Sequence, residues 1–241
     1  MNTALSSQLN RFDRLHSPAM GFVDLSPSTN TRNGISHRIY QRREALFSAG
    51  DTFEGVYQLR SGSAKASICS ASGDEYVTEF HYPGDIIGID GFDTYQHSQN
   101  LRFLETSSLV CIKESDISQL LKGSDGFGKQ LLKAMSHCIV CEQKMLMSIT
   151  TCTSEQRVAL FLLQVSKRFH QRGCSAEDFN LSMTRTDIAS YLGMAIETLS
   201  RTLTLFQHLG LIKVSNRDVK ILNYNALKTK ARSKSGHVLV N

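Results

Sequence analysis

The chain lacks any long hydrophobic run: no stretch of its 241 residues approaches the roughly 18 uncharged apolar residues that a bilayer span requires. The opening MNTALSSQLNRFDRLHS has no apolar core of the kind a secretory signal needs, so a cytoplasmic protein is the expectation. Cysteine is absent from residues 1–68. The six present, at 69, 111, 138, 141, 152 and 174, lack the dense even spacing of a secreted disulfide scaffold. They are expected to be reduced, and to act as small hydrophobes where buried. Motifs of common enzyme chemistry are missing too: there is no glycine-rich phosphate loop, no HExxH and no nucleophile elbow. Cys138 and Cys141 form a CxxC, but not in the strand–helix context of a thiol-redox enzyme. A protein that is not an enzyme, with no cofactor, is expected.

Positive charge is small in total, +5, and uneven in distribution. From Arg157 onward the chain is rich in Lys and Arg, with KTKARSKSG near its end. A polyanionic partner favours such a half, and a solvated basic tail has the same appearance.

Residues 1–38, rich in Ser, Asn, Thr and Arg, read as a weakly structured leader with a short helix near Leu5–Leu15. From residue 39 to about 118, short β-runs alternate with turns: GVYQLRSG (55–62), SAKASICS (63–70), YVTEFH (76–81) and FLETSSLVCI (103–112). Strands this short and evenly spaced predict a compact antiparallel barrel or roll. Helical periodicity follows. Residues 119–152 are assigned to a long helix, in which Phe127, Leu131, Leu132, Met135, Ile139, Met145, Leu146 and Ile149 recur at threes and fours without a proline. Apolar surface on more than one side suits a helix that packs on its own domain and on a second copy about a two-fold axis.

The last domain is expected over 153–228, with 229–241 as a basic tail. Ser154 is expected to cap a helix over 155–171, and GCSAEDFNLSM then reads as a turn and a short strand. Thr184 caps the next helix, with Asp187 at the capping-box position. Gly193 supplies a tight turn, a second helix runs from about 196 to 209, and LIKVSNRDVKIL (211–222) has the form of a hairpin. Helix, turn, helix and hairpin make a winged helix-turn-helix. Glu197, Ser200 and Arg201 lie at i, i+3 and i+4 and share an edge at the start of the second helix, next to Thr198. Arg forks onto guanine, Glu accepts from cytosine, and Ser or Thr donates or touches a thymine methyl. Leu199, Leu203, Phe206 and Leu209 face the other way, toward Ile188 and Leu192. A surface helix with an internal Glu197–Arg201 ion pair is the competing reading of that edge.

MTRTDIASYLGMAIETLSRTLTLFQHLGLIKV (183–214) resembles the DNA-binding region of the Crp/Fnr family of bacterial transcription regulators, and its E-x-x-S-R is similar to that of the Fnr branch. The resemblance extends through LFSAGDTFEGVYQLRSGSAKA (46–66), EFHYPGDIIGID (79–90) and LETSS (104–108), and covers roughly residues 40–228. It implies an α+β chain: an N-terminal double-stranded β-helix (a cyclic-nucleotide-binding-like jelly roll), a long dimerisation helix and a C-terminal winged helix-turn-helix. It further implies a homodimer on double-stranded DNA at a palindromic, TTGAT-like site, with RNA polymerase as partner. Carried over, Glu197, Ser200 and Arg201 are the base readers, with Thr198, Thr184 and Arg185 at the same interface.

The signal is a separate question. Cyclic-nucleotide binders of the family carry G-E-L followed by an R-S or R-T pair. Here Ile89 and Asp90 stand in place of Glu-Leu, and no Arg precedes Arg102. Without that cation a buried phosphate is unpaired and costly. An Fnr-type iron–sulfur cluster needs N-terminal thiolates, absent here, and one from the roll, where Val110 stands in the matching place and Cys111 is shifted by one. Cys138 and Cys141 share a helical face near the presumed two-fold axis. Packing, an intersubunit disulfide, a metal site or thiol-redox sensing remain open for them. Haem or nitric-oxide sensing is a further alternative, although no histidine has the context of an axial ligand.

Overall fold

The computed structural model describes residues 35–122 and 126–232, which fall into two compact units divided between Cys141 and Glu142. The leader up to residue 34, including the expected short helix, and the tail from 233 lie outside the described residues.

The first unit is a roll of two four-stranded antiparallel sheets. One has the order β1 (Ile35–Tyr40), β8 (Ser107–Lys113), β3 (Gly55–Ser61), β6 (Ile86–Ile87). The other has the order β2 (Ala45–Phe47), β7 (Asn100–Phe103), β4 (Ala64–Cys69), β5 (Glu75–His81). Side chains alternate along β3, as the two-residue period of a strand requires. Tyr57 and Leu59 enter the core shared with Phe47, Leu101, Phe103 and Leu109, while Val56 joins a second cluster with Ile112, Ile117, Phe127, Leu131 and Ala134.

Two expectations need correction here. Residues 35–38, assigned to the leader, are strand: β1 pairs with β8 from Ile35↔Ile112 to Tyr40↔Ser107. The run 103–112 is not one strand but the end of β7 and most of β8, in different sheets. The chain changes sheets over 104–106, and Ser63 Oγ donates to Glu105 Oε1 there at 2.6 Å.

Helix α1 (Glu114–Lys122) follows β8 directly and buries Ile117. It therefore takes residues 119–122 away from the long helix, α2, which runs over Phe127–Thr151. Phe127, Leu131 and Ala134 are its buried residues. Leu132, Met135, Ile139, Leu146 and Ile149 are exposed.

The second unit begins with α3 (Ser154–Gln171), whose cap is Thr153 rather than Ser154: Thr153 and Gln156 form a full capping box. Strand β9 (Asp178–Asn180) comes next, then α4 (Arg185–Tyr191), capped by Thr184 with Asp187 as expected. Gly193 adopts a left-handed φ of 60° in the turn before α5 (Ile196–His208). Strands β10 (Ile212–Ser215) and β11 (Asp218–Ile221) form the hairpin, and β9 adds to its β11 edge. Residues 229–232 are not tail: they belong to α6 (Tyr224–Arg232), which buries Leu227 and Ala231, and Lys230 pairs with Glu155 of α3 at 2.5 Å.

Gly55 marks the tightest approach in the roll. Its φ is 148°, and a Cβ there would fall on the Ile112 carbonyl oxygen of β8. Backbone cannot yield as a side-chain tip does. Gly55→Ala is expected to lower unfolding free energy by about 3 kcal/mol or more, read as a reduced urea midpoint with an unchanged slope.

Candidate nucleic-acid interface

The exposed edge of α5 is built from its buried face. Leu199, Leu203 and Phe206 are buried, as are Ile188 and Leu192 at the first helix. With those positions fixed, the helical period turns Glu197, Ser200 and Arg201 outward, and all three are exposed. Leu209, expected on the inner face, is 54% exposed: it is the residue that ends α5. Among the described residues no ion pair joins Glu197 to Arg201, so the structure does not favour the internally paired surface helix. Ser200 Oγ donates to the Ile196 carbonyl at 2.9 Å, which leaves its lone pairs to act as acceptor. Thr198 is half-buried. Ala195 caps α5 without a side-chain hydrogen bond, leaving first-turn amides to solvent or a phosphate.

Thr184 and Arg185 have structural duties. Thr184 Oγ1 donates to Asp187 Oδ2 at 2.6 Å, and the Thr184 amide donates to the same oxygen at 2.8 Å. Arg185 Nη2 donates to the Asn216 carbonyl at 3.0 Å, at the left-handed corner of the wing turn. Burial pulls its guanidinium below the ordinary arginine value. Arg217 reaches back to the Ser182 carbonyl at 3.2 Å, so one arginine ties the wing to α4 and another to the segment before it. Four further donors remain on the Arg185 guanidinium, so this role is compatible with a phosphate contact.

Sequence reasoning missed the lysines of the wing. Lys213 and Lys220 are register partners across β10 and β11, both exposed. Like charges directly opposite are unfavourable in an isolated hairpin and become favourable beside a polyanion. The visible signal was the KxxNRDxK pattern: positions on either side of a two-residue turn pair symmetrically.

Arg157 was missed as well. Its Nη1 donates to the Ile149 carbonyl at the end of α2 (3.2 Å), and its Nη2 reaches the Gly193 carbonyl in the helix-turn-helix turn (3.5 Å). The Ile149 side chain packs beside Gly193, its Cδ1 3.5 Å from where a Cβ would stand, an ordinary van der Waals contact. The sequence clue is negative: the last turn of α2 holds no basic residue to meet its own carbonyls.

In the roll, the 88–100 stretch closes on itself. Gly88 has φ 87° and leads into a 3₁₀ turn, Ile89–Phe92. Asp90 accepts from the Ser98 amide at 2.8 Å and meets His97 Nδ1 at 3.3 Å. Burial pushes the Asp90 carboxyl up, but the hydrogen bonds from His97 and Ser98 outweigh it and hold it below the usual carboxylate range. His97, 3% exposed, stacks on Phe47 with ring centroids 3.5 Å apart. Arg102 is exposed and points its Nη1 at the Arg43 carbonyl, 3.5 Å away. A carboxylate thus occupies the stretch where a nucleotide phosphate would need a cation.

The thiols are scattered. Cys69 and Cys174 are exposed, Cys111 is buried in the roll core, and Cys138, Cys141 and Cys152 are half-buried. Burial pushes the Cys111 thiol up. Among the described residues no three His, Cys, Asp or Glu side chains group to hold a metal. Cys138 and Cys141 follow the stripe of Leu131 and Ala134, half-buried, whereas Leu132, Met135 and Ile139 mark a separate exposed face. Cys141 Sγ lies 3.5 Å from His137 Nε2.

Comparison with known proteins agrees with this geometry. Residues 37–124 match the model of the cyclic nucleotide-binding domain, and residues 156–230 that of the Crp-like helix-turn-helix domain. The chain is 40% identical over 188 residues to the Anaerobic regulatory protein of Haemophilus influenzae, covering 78% of this chain and 73% of the relative. It is 39% identical over 186 residues to the transcriptional activator protein Anr of Pseudomonas protegens, covering 77% and 76%. Among solved structures, FixK2 of Bradyrhizobium japonicum superposes with a TM-score of 0.74 at 23% identity, over 83% of this chain and 99% of that one. CooA of Carboxydothermus hydrogenoformans gives 0.67 at 16% identity, over 82% and 88%. The sensor-type jelly roll, the winged helix-turn-helix and these relatives together place the chain in the Crp/Fnr family of DNA-binding transcription regulators.

Proposed function

We propose that this regulator binds a palindromic, TTGAT-like promoter site as a homodimer, with Glu197, Ser200 and Arg201 reading base edges in each half-site. The observation that carries the reading is the exposed Glu197–Ser200–Arg201 edge on a helix fixed by buried Leu199, Leu203 and Phe206. Thr184 and Arg185 hold the first helix and the wing in place, and Thr198, Lys213 and Lys220 lie where phosphates flank the groove. By family resemblance the promoter-bound dimer meets RNA polymerase.

The second copy is argued from α2. Exposed Leu132, Met135, Ile139, Leu146 and Ile149, with Glu142 between Ile139 and Leu146, repeat at alternating spacings of three and four. That is the a/d repeat of a two-stranded coiled coil. We read the protein as an Fnr-like regulator without an Fnr-type cluster or cyclic-nucleotide dependence. Two features support this: residues 1–68 supply no thiolate, and the stretch 88–100 has no arginine and holds Asp90, bonded to His97 and Ser98.

Three outcomes test the proposal. Arg201→Ala is expected to cost about 1–3 kcal/mol on the palindrome and to relax choice at one guanine, in competition titrations against every base at that position. Equal weakening on random duplex refutes base reading. Arg157→Ala is expected to weaken full-site binding roughly tenfold, about 1.4 kcal/mol, and binding to a single half-site far less. Loss of equal size on both targets would show that the arginine only stabilises the fold. Glu142→Leu removes a pair of like charges facing each other in the seam, so sedimentation should show tighter self-association than the parent. An unchanged dimer constant places the interface elsewhere.

A further inference from the structure

We infer that Cys141 is an oxidisable thiol, activated by His137 and resolved by Cys138, through which a hydroperoxide acts on helix α2. The two activating side chains are one helical turn apart, at i and i+4, and in contact: the sulfur lies 3.5 Å from Nε2 and 3.9 Å from Nδ1 of the imidazole. A sulfur against a basic nitrogen can pass its proton and become the nucleophilic thiolate. The other thiols have different neighbours. Cys69 meets the Asn100 side-chain amide at 3.6 Å, Cys152 the Thr151 hydroxyl at 3.8 Å, and Cys174 the Arg172 carbonyl at 3.9 Å. Cys111 is enclosed in the roll core. Cys141 and His137 are half-buried rather than sealed, so a small peroxide can reach them.

The chemistry closes in two steps. His137 takes the thiol proton, and the thiolate attacks one peroxide oxygen. The S–O bond forms as the O–O bond breaks, and the departing alkoxide or hydroxide takes the proton from the imidazolium. Sulfur is oxidised to the sulfenic acid, and the hydroperoxide is reduced to an alcohol or water. Cys138 then attacks the sulfenic sulfur: the S–S bond forms, the S–O bond breaks, and water leaves with the second thiol proton. This second step has a structural cost. Cβ atoms at i and i+3 on an α-helix stand roughly 5–6 Å apart, and a disulfide needs about 3.5–4.5 Å. Closing the bond must therefore unwind the turn between Cys138 and Cys141. That turn carries Ile139 and directly precedes Glu142, both in the exposed repeat. Oxidation thereby distorts the seam. The effect on DNA rests on the homodimer reading above, whereas the thiol chemistry does not.

The test uses the full-length reduced protein, substoichiometric hydrogen peroxide, dimedone as sulfenic trap, and peptide mass spectrometry. In a Cys138→Ser variant, Cys141 should be trapped at least roughly tenfold faster than the exposed Cys69 and Cys174 in the same molecule. Adding His137→Gln should bring that ratio to within about threefold. Without dimedone, the parent should form the Cys138–Cys141 disulfide and lose affinity for the palindrome, with recovery on reduction. Faster oxidation of Cys69 or Cys174 overturns the proposal, as does a Cys141 rate indifferent to His137. Melting curves show whether the His137 variant is folded, and the parent's internal ratio decides the matter if it is not. Disulfide formation with unchanged DNA affinity overturns the control of binding. A reduced parent that fails to dimerise refutes the homodimer reading instead, and is scored separately.

Discussion

A single guanidinium holds together the parts that DNA recognition depends on. The end of a helix leaves carbonyls without partners. At the end of α2 the amide that could have met the Ile149 carbonyl, that of Thr153, is taken by Gln156 in the capping box of α3. The last turn of α2 has no basic residue of its own. Arg157, one turn into α3, supplies the donor and spends another on the Gly193 carbonyl. The Ile149 side chain packs beside Gly193 at the same place. The end of α2, the start of α3 and the turn before α5 are therefore tied to one side chain. In the homodimer proposed above, whatever sets the separation of the two α2 helices also bears on the separation of the two α5 helices.

The helix-turn-helix was legible because its signals are local. Thr184 and Asp187 three residues on, a glycine where φ must be positive, apolar residues at a helical period and Asn-Arg at a hairpin turn each act within a few residues. What escaped depends on pairing at a distance. Residues 35–38 look like polar leader and become strand because β8 offers them an unpaired edge. KTKAR looks like a tail, yet Leu227 and Ala231, one turn apart, find a groove on α3. The direction of Arg157 could not be read from the chain, since its two acceptors lie 8 residues before and 36 residues after it. The placement of the candidate residues was legible in part. Glu197, Ser200 and Arg201 are exposed and Thr184 caps α4, both as expected, whereas the bond from Arg185 to the Asn216 carbonyl was not foreseen.

The roll keeps the family architecture and closes its 88–100 stretch on an internal carboxylate. A nucleotide phosphate brings negative charge into a partly buried place and needs a cation there. This chain puts Asp90 in that stretch and satisfies it internally with Ser98 and a buried, Phe47-stacked His97. The hydrogen bonds that hold the carboxyl ionised also staple residues 90 and 98 together. The loop is thus tied by its own charge. Arg102, the first arginine after that stretch, is exposed beside the Arg43 carbonyl.

Helix α2 shows how one segment can carry separate duties on separate faces. Phe127, Leu131 and Ala134 anchor it to the roll, and removing any of them would open the cluster shared with Val56, Ile112 and Ile117. The exposed repeat from Leu132 to Ile149 is free of that constraint and suits a second copy. Where the anchoring stripe loses its contacts in the roll core, the sequence changes from large hydrophobes to His137, Cys138 and Cys141, which are half-buried. Small polarizable groups fill such a margin without the rigid packing that leucine would impose. The margin is also the place where the chain passes from one compact unit to the other. A chemical change there alters the helix without first having to break either core, which is the condition for a modification to be transmitted rather than to unfold the protein.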